Sequence, residues 1–225
     1  MKTIALTAVV SVLLTLVSTA SASVAIYEND KPGWDAATTL VGTINWDDVT
    51  PLANGSSTTI SGTRYSGLAG SPTLSVDGSS GLYVINPGPN FFDADFIPVS
   101  GENVFAPDNY PTSPEGILTI SFGSPMYGLG VFFLDVETDF DSTGIEVGGM
   151  LYTFSADQGD DSKSFLGIVS GSSFTTANIH MSSDAGGNGV GIDDVAYAAP
   201  VPGAVLLGAM GLGMVGWMKR RKTEA

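Results

Sequence analysis

The 225-residue chain has no cysteine, one histidine and only eight lysines and arginines. Without cysteine there is no disulfide framework, no thiol nucleophile and no cysteine-ligated zinc or iron-sulfur centre, while the compartment stays undecided. A single imidazole, His180, removes most histidine-ligated metal sites. A formal charge of −15 with so few bases excludes nucleic-acid binding by phosphate neutralisation, which needs clustered Lys and Arg. There is also no internal repeat, no long helical period and no Gly-x-Ser-x-Gly elbow, so the chain lacks the nucleophile signature of a serine hydrolase. What remains is 43% apolar, enough for one domain with a buried core.

The few bases are unevenly placed. Between residues 23 and 199 only Lys31, Arg64 and Lys163 stand against 22 acids, which leaves that body at −19. Lys2 precedes an uncharged, mostly apolar run over residues 4–17, and Ala20-Ser21-Ala22 follows. A basic start, a short apolar region and small residues at Ala20 and Ala22 define a secretory signal peptide over 1–22, cut after Ala22 by signal peptidase once the secretion machinery has engaged it. At the other end, residues 201–218 are 18 positions without a charge, with Trp217 at the interfacial place, followed by Lys219, Arg220, Arg221 and Lys222. This pattern is expected to form a transmembrane helix over 204–218, with the basic tail 219–225 kept on the cytoplasmic side and the body outside. Gly211 to Gly216 spell a dinucleotide fingerprint, but no strand-helix-strand unit surrounds them. Ala204 with Gly208, and Ala209 with Gly213, read better as a small-residue helix face.

Pro200-Val201-Pro202-Gly203-Ala204, the apolar stretch and the basic end together resemble the PEP-CTERM sorting signal of exported bacterial proteins, with Val201 where that motif carries Glu. The resemblance implies an inner-membrane intermediate, recognition by an exosortase and delivery to the cell surface or extracellular matrix, where exopolysaccharide or biofilm is the partner. A permanent membrane anchor is the plain alternative.

In the body, short runs rich in Val, Ile, Thr, Phe and Tyr alternate with Gly, Pro, Ser, Asn and Asp. They predict strands over 40–46, 58–65, 73–76, 81–85, 96–99, 117–122, 127–134, 144–147, 151–155, 164–169, 175–181 and 191–197, hence an all-β antiparallel sandwich over 23–199. Leu118, Ile120 and Phe122 fall on one side of their strand and Ile117, Thr119 and Ser121 on the other, whereas Val131 to Leu134 is apolar on both faces, as a central strand is. Residues 43–48, 165–170 and 191–197 also resemble the body domains that precede PEP-CTERM signals, which implies a jelly-roll of the lectin or carbohydrate-binding type.

Three groups of residues could bind something. Asp135, Glu137, Asp139 and Asp141 stand at period two, with Glu146 at the twelfth position, but Phe140 replaces the glycine an EF-hand turn requires. What survives is a row of carboxylates along an extended segment, suited to calcium. Asp193 and Asp194 open the last strand, where neighbours point to opposite faces, so at most one is buried, and a buried one would call for calcium, a hydrogen-bond network or a proton. Among the aromatic residues, Trp34 after Lys31-Pro32-Gly33 and Tyr110 before Pro111 lie in loop-like sequence and are the candidate sugar platforms. No cofactor is required by any of this and no catalytic residue is singled out. The expected function is structural or adhesive, with a carbohydrate-binding module and an extracellular glycan hydrolase as alternatives.

Overall fold

The computed structural model describes residues 23–49, 56–77, 82–86, 98–101, 103–107, 115–136, 141–159, 162–182 and 190–200. The segments read as signal peptide (1–22) and as sorting helix and basic tail (201–225), with Glu137, Asp139 and Tyr110, lie outside them. Among the described residues no helix is long and apolar enough to cross a membrane.

The fold is all-β and antiparallel, as the punctuated β-branched and aromatic runs require. Its strands are β1 (Val24–Glu28), β2 (Thr38–Ile44), β3 (Ser56–Ile60), β4 (Thr73–Val76), β5 (Leu82–Asn86), β6 (Val104–Pro107), β7 (Glu115–Leu134), β8 (Gly144–Val147), β9 (Met150–Thr153), β10 (Lys163–Ser182) and β11 (Gly191–Pro200). One short helix, α1 (Lys31–Ala37), joins β1 to β2.

Two 20-residue strands, β7 and β10, organise the whole. They pair along most of their length, but the register breaks between Val169 and Phe174 and again between Phe174 and Thr176. The breaks flank the Phe174–Met126 pair: β10 carries Gly171, Ser172 and Ser173 as extra residues on one side of it and β7 carries Gly123, Ser124 and Pro125 on the other, all exposed. Pro125 has no N–H to give the ladder and the small residues tolerate a bend, so the ribbon turns there. On one side of the bend β4, β7, β10, β8 and β9 lie side by side; on the other β1, β10, β7, β11 and β2 do, and β6, β5 and β3 extend from β11. Each strand predicted as two pieces, 117–122 with 127–134 and 164–169 with 175–181, is one bent strand. Side chains from both sides of the bend share one core: Phe122 packs on Phe174 (6.3 Å) and on Tyr197 (5.2 Å).

Alternation behaves as read. Leu118, Ile120 and Phe122 are buried, while Ile117, Thr119 and Ser121 are not. β7 lies between β10 and β11, so Val131, Phe133 and Leu134 are all fully buried.

Trp34 corrects an expectation. It is not a loop platform but the buried face of α1, with no exposed surface. Asp30 caps the helix by accepting from the Gly33 N–H at 2.9 Å, and Pro32 sits in the first turn, where its missing donor costs nothing. The indole lies against Gly128, Gly130 and Gly167, the last two being positions where a β-carbon would crowd it, and donates its N–H to the Ile168 carbonyl at 3.1 Å. Phe165 meets it edge-on at 6.0 Å. A sugar cannot reach this ring.

Candidate functional site

The most unusual chemistry in the body gathers around Asp193. The strand predicted over 96–99 is, in its described part, a loop, and the reason is Asp193: its Oδ2 accepts the N–H groups of Val99 (2.6 Å) and Ser100 (2.9 Å), taking donors a sheet would have used. Asp193 is fully buried and Asp194 half-buried, consistent with opposite facing. Both nevertheless reach the same loop. Ile192 pairs with Phe133 and Val195 with Val131, so β11 carries one extra residue there, a β-bulge that re-aims the carboxylates. Asp194 Oδ1 thereby comes within 3.2 Å of the Ser100 hydroxyl.

A third carboxylate arrives from a 3-10 turn at Trp46–Asp48. Asn45 caps that turn, accepting the Asp47 N–H at 2.7 Å. Asp48 faces outward to Arg64 (3.3 Å) and the Tyr65 hydroxyl (2.9 Å), while Asp47 faces inward, accepting from Ser100 Oγ (3.2 Å) and the Asn103 N–H (3.3 Å). One hydroxyl carries one hydrogen, so Ser100 serves Asp47 or Asp194 at any moment and not both. Gly101, at φ +52°, lets the loop lie directly on the Asp47 carboxylate, whose place a β-carbon would take.

The floor is dry. Trp46 is fully buried against Phe105 (5.1 Å) and Tyr65 (5.8 Å), and its indole N–H donates to the Asp193 carbonyl at 3.1 Å. Burial pushes the Asp193 carboxyl up to about 6 against the restraint of the Ser100 N–H, and the charges of Asp194 and Asp47 add to the rise. Burial also raises Asp194, followed by Asp47, while the Ser100 hydroxyl and Lys31 hold it down. Two oxygens here, Asp193 Oδ1 and Asn103 Oδ1, are buried and accept no hydrogen bond among the described residues. The Asn103 amide is oriented unambiguously, because its nitrogen donates to the carbonyls of Trp46 and Val49.

Asp194 also borders a shallow cavity of about 110 Å³ on the outer sheet surface, with Lys31, Leu40, Thr43, Phe132 and Phe165 around it. Lys31 pairs with Asp35 across one helical turn at 2.6 Å.

The other candidate residues fare differently. Asp135 follows β7 in the left-handed region (φ +61°), buried, whereas Asp141 is exposed in a turn, so the two described members of that row do not share a setting. Among the described residues no three acidic or imidazole groups form a metal-holding set by themselves. His180 stands on the polar sheet face, its Nε2 2.8 Å from Glu146 Oε2, with Ile179 buried beside it. Asp157 is a turn former, accepting the Gly159 N–H at 2.7 Å. The residues missed by sequence reasoning are Asp47, Ser100 and Asn103. Asp47 lay in a segment picked out only for its resemblance to body domains, and nothing in the sequence marked Ser100 or Asn103.

No protein family, curated protein or solved structure matches this chain.

Proposed function

We propose that this is an exported surface or matrix protein with a structural or adhesive role and no catalysis. In this reading its body is an acidic jelly-roll-like sandwich, and its ends address it to the secretion machinery, signal peptidase and an exosortase-like membrane enzyme. One observation supports it above others: β11, which leads into the segment read as a sorting signal, has β7 along one edge and β6 then β2 along the other. Pro200, the first residue of the sorting motif, is the last of that strand and is paired with Thr38. A tether attached to an inner strand loads the core of the domain and not a frayed edge, as suits a body held at a surface. Mass spectrometry of the protein from its final location tests this. A mature form beginning at Ser23 and lacking the basic tail is expected; an intact chain through Ala225 there would overturn sorting by cleavage.

A second reading, a carbohydrate-binding module, is favoured by the cavity beside Asp194, where Lys31 and Thr43 offer polar groups next to the half-buried ring of Phe132. Exopolysaccharide is the ligand class. A glycan array on the wild type and on Phe132→Ala decides it: retention that the substitution abolishes supports the module, and no retention removes it.

A further inference from the structure

We propose that Asp47, Asp193 and Asp194, with the Asn103 side-chain oxygen, form a binding site for one divalent cation of the calcium class, tying the loop residues 98–101, Asn103 and the 3-10 turn to the bulge of β11. The proposal stands independently of how the protein is sorted.

Three carboxylates around one serine would be a solvated acidic patch were they exposed. They are not: Asp193 is fully buried and Asp194 half-buried. The second observation is the pair of orphaned oxygens. Asp193 Oδ1 has no hydrogen-bond donor although Oδ2 of the same carboxylate has two, and Asn103 Oδ1 has none although the side-chain nitrogen and the backbone N–H of that residue are both engaged. An amide oxygen and an ionised carboxylate oxygen both accept, so a proton-bearing partner or a cation is what satisfies them. A buried carboxylate without such a partner carries a large desolvation penalty. Lys31 is the base that acts on Asp194, but its ammonium is engaged with Asp35, and that of Lys163 is engaged with the Pro98 carbonyl at 2.9 Å.

The donor set selects the ion. It is carboxylate, amide and hydroxyl oxygen, with no imidazole or thiol, which suits a hard cation and disfavours zinc or copper. The donors come from three separate segments, giving the irregular shell that calcium tolerates and magnesium resists.

The test uses the full chain, purified in detergent and stripped with EDTA. Terbium substitutes for calcium, and Trp46, adjacent to Asp47 and bonded to the Asp193 carbonyl, is placed to sensitise it. Expected are green emission on indole excitation, its displacement by calcium near the millimolar range or below, about as for other extracellular sites, and a higher melting midpoint with calcium. Asp193→Asn should weaken calcium at least about tenfold, and so should Asp47→Asn. Asp141→Asn, which removes one charge from an exposed turn, should leave it unchanged. If Asp193→Asn does not fold, Asp47→Asn and Asn103→Ala carry the test, since neither removes the bonds that anchor the loop to Asp193. Failure of calcium to displace terbium at about 10 mM would overturn the proposal. Unchanged affinity in both Asp47→Asn and Asn103→Ala would do so too, as would a loss in Asp141→Asn equal to theirs.

Discussion

A β-carbon at Gly167 would lie 2.5 Å from Cδ1 of Trp34, so β10 can seat the helix α1 only by carrying no side chain there. Gly167→Ala is therefore expected to lift the indole out of its trough at a cost of about 1–3 kcal/mol, the usual range for overpacking. Trp34→Ala leaves a cavity in its place and should cost about 3–5 kcal/mol. Urea denaturation measures both. If Trp34 were a ligand platform, its removal would lower glycan affinity at unchanged stability; the opposite split is expected.

Asp193 should matter to stability even in EDTA, because Val99 and Ser100 direct part-buried N–H groups at its Oδ2. Asp193→Ala strands both donors. Hydrogen bonds to a charged group are worth about 1.5–3 kcal/mol each, with partial compensation by water, so a loss of about 2–4 kcal/mol is expected. Asp193→Asn keeps one acceptor oxygen and should lose less. Equal losses in the two variants, read from denaturation midpoints, would show that packing and not hydrogen bonding holds the loop.

Part of this arrangement was readable in the sequence. The gaps left between predicted strands at 122–127 and 169–175 mark the bend in β7 and β10, because Gly123, Pro125, Gly171 and the serines around them interrupt β patterning where the ribbon turns. The acidic pair was found, with the expectation that at most one of the two is buried, and Asp193 is the buried one. α1 was not, because Pro32 and Gly33 argue for a loop unless one knows that Asp30 caps the turn and that three glycines from β7 and β10 leave a seat for Trp34. β1 was lost beside the apolar run read as an export signal. Convergence on Asp193 was unreadable for a similar reason: Asp47 and Ser100 lie far from it in sequence, and only the bulge in β11 brings Asp194 to the same serine.

Glu146 carries the acid sensitivity of the polar sheet face. Hydrogen bonds from His180 and then Asn178 hold its carboxyl below the ordinary 4.5. A depressed carboxylate binds its proton less readily when folded than when unfolded. Its stabilisation is thus present above about 4.5 and lost as pH falls through the lower folded value. Glu146→Gln should therefore flatten the acid limb of the stability profile below that pH and lower stability slightly at neutrality. An unchanged acid limb in chemical denaturation across about pH 3 to 6 would remove Glu146 as its source.

Gly101 and Gly149 offer a matched pair for the acidic site. Both have positive φ, +52° and +77°, where alanine is disfavoured, but a β-carbon at Gly149 meets nothing while one at Gly101 would take the place of the Asp47 carboxylate. Gly149→Ala is expected to cost about 1 kcal/mol, the conformational penalty alone. Gly101→Ala should cost that and more, because Asp47 must leave the Asn103 N–H and the Ser100 hydroxyl to make room. It should also weaken calcium where Gly149→Ala does not. Thermal melts with and without calcium compare them directly. Equal shifts in the two variants under both conditions would mean that the contact between Gly101 and Asp47 contributes nothing to the loop or to the ion.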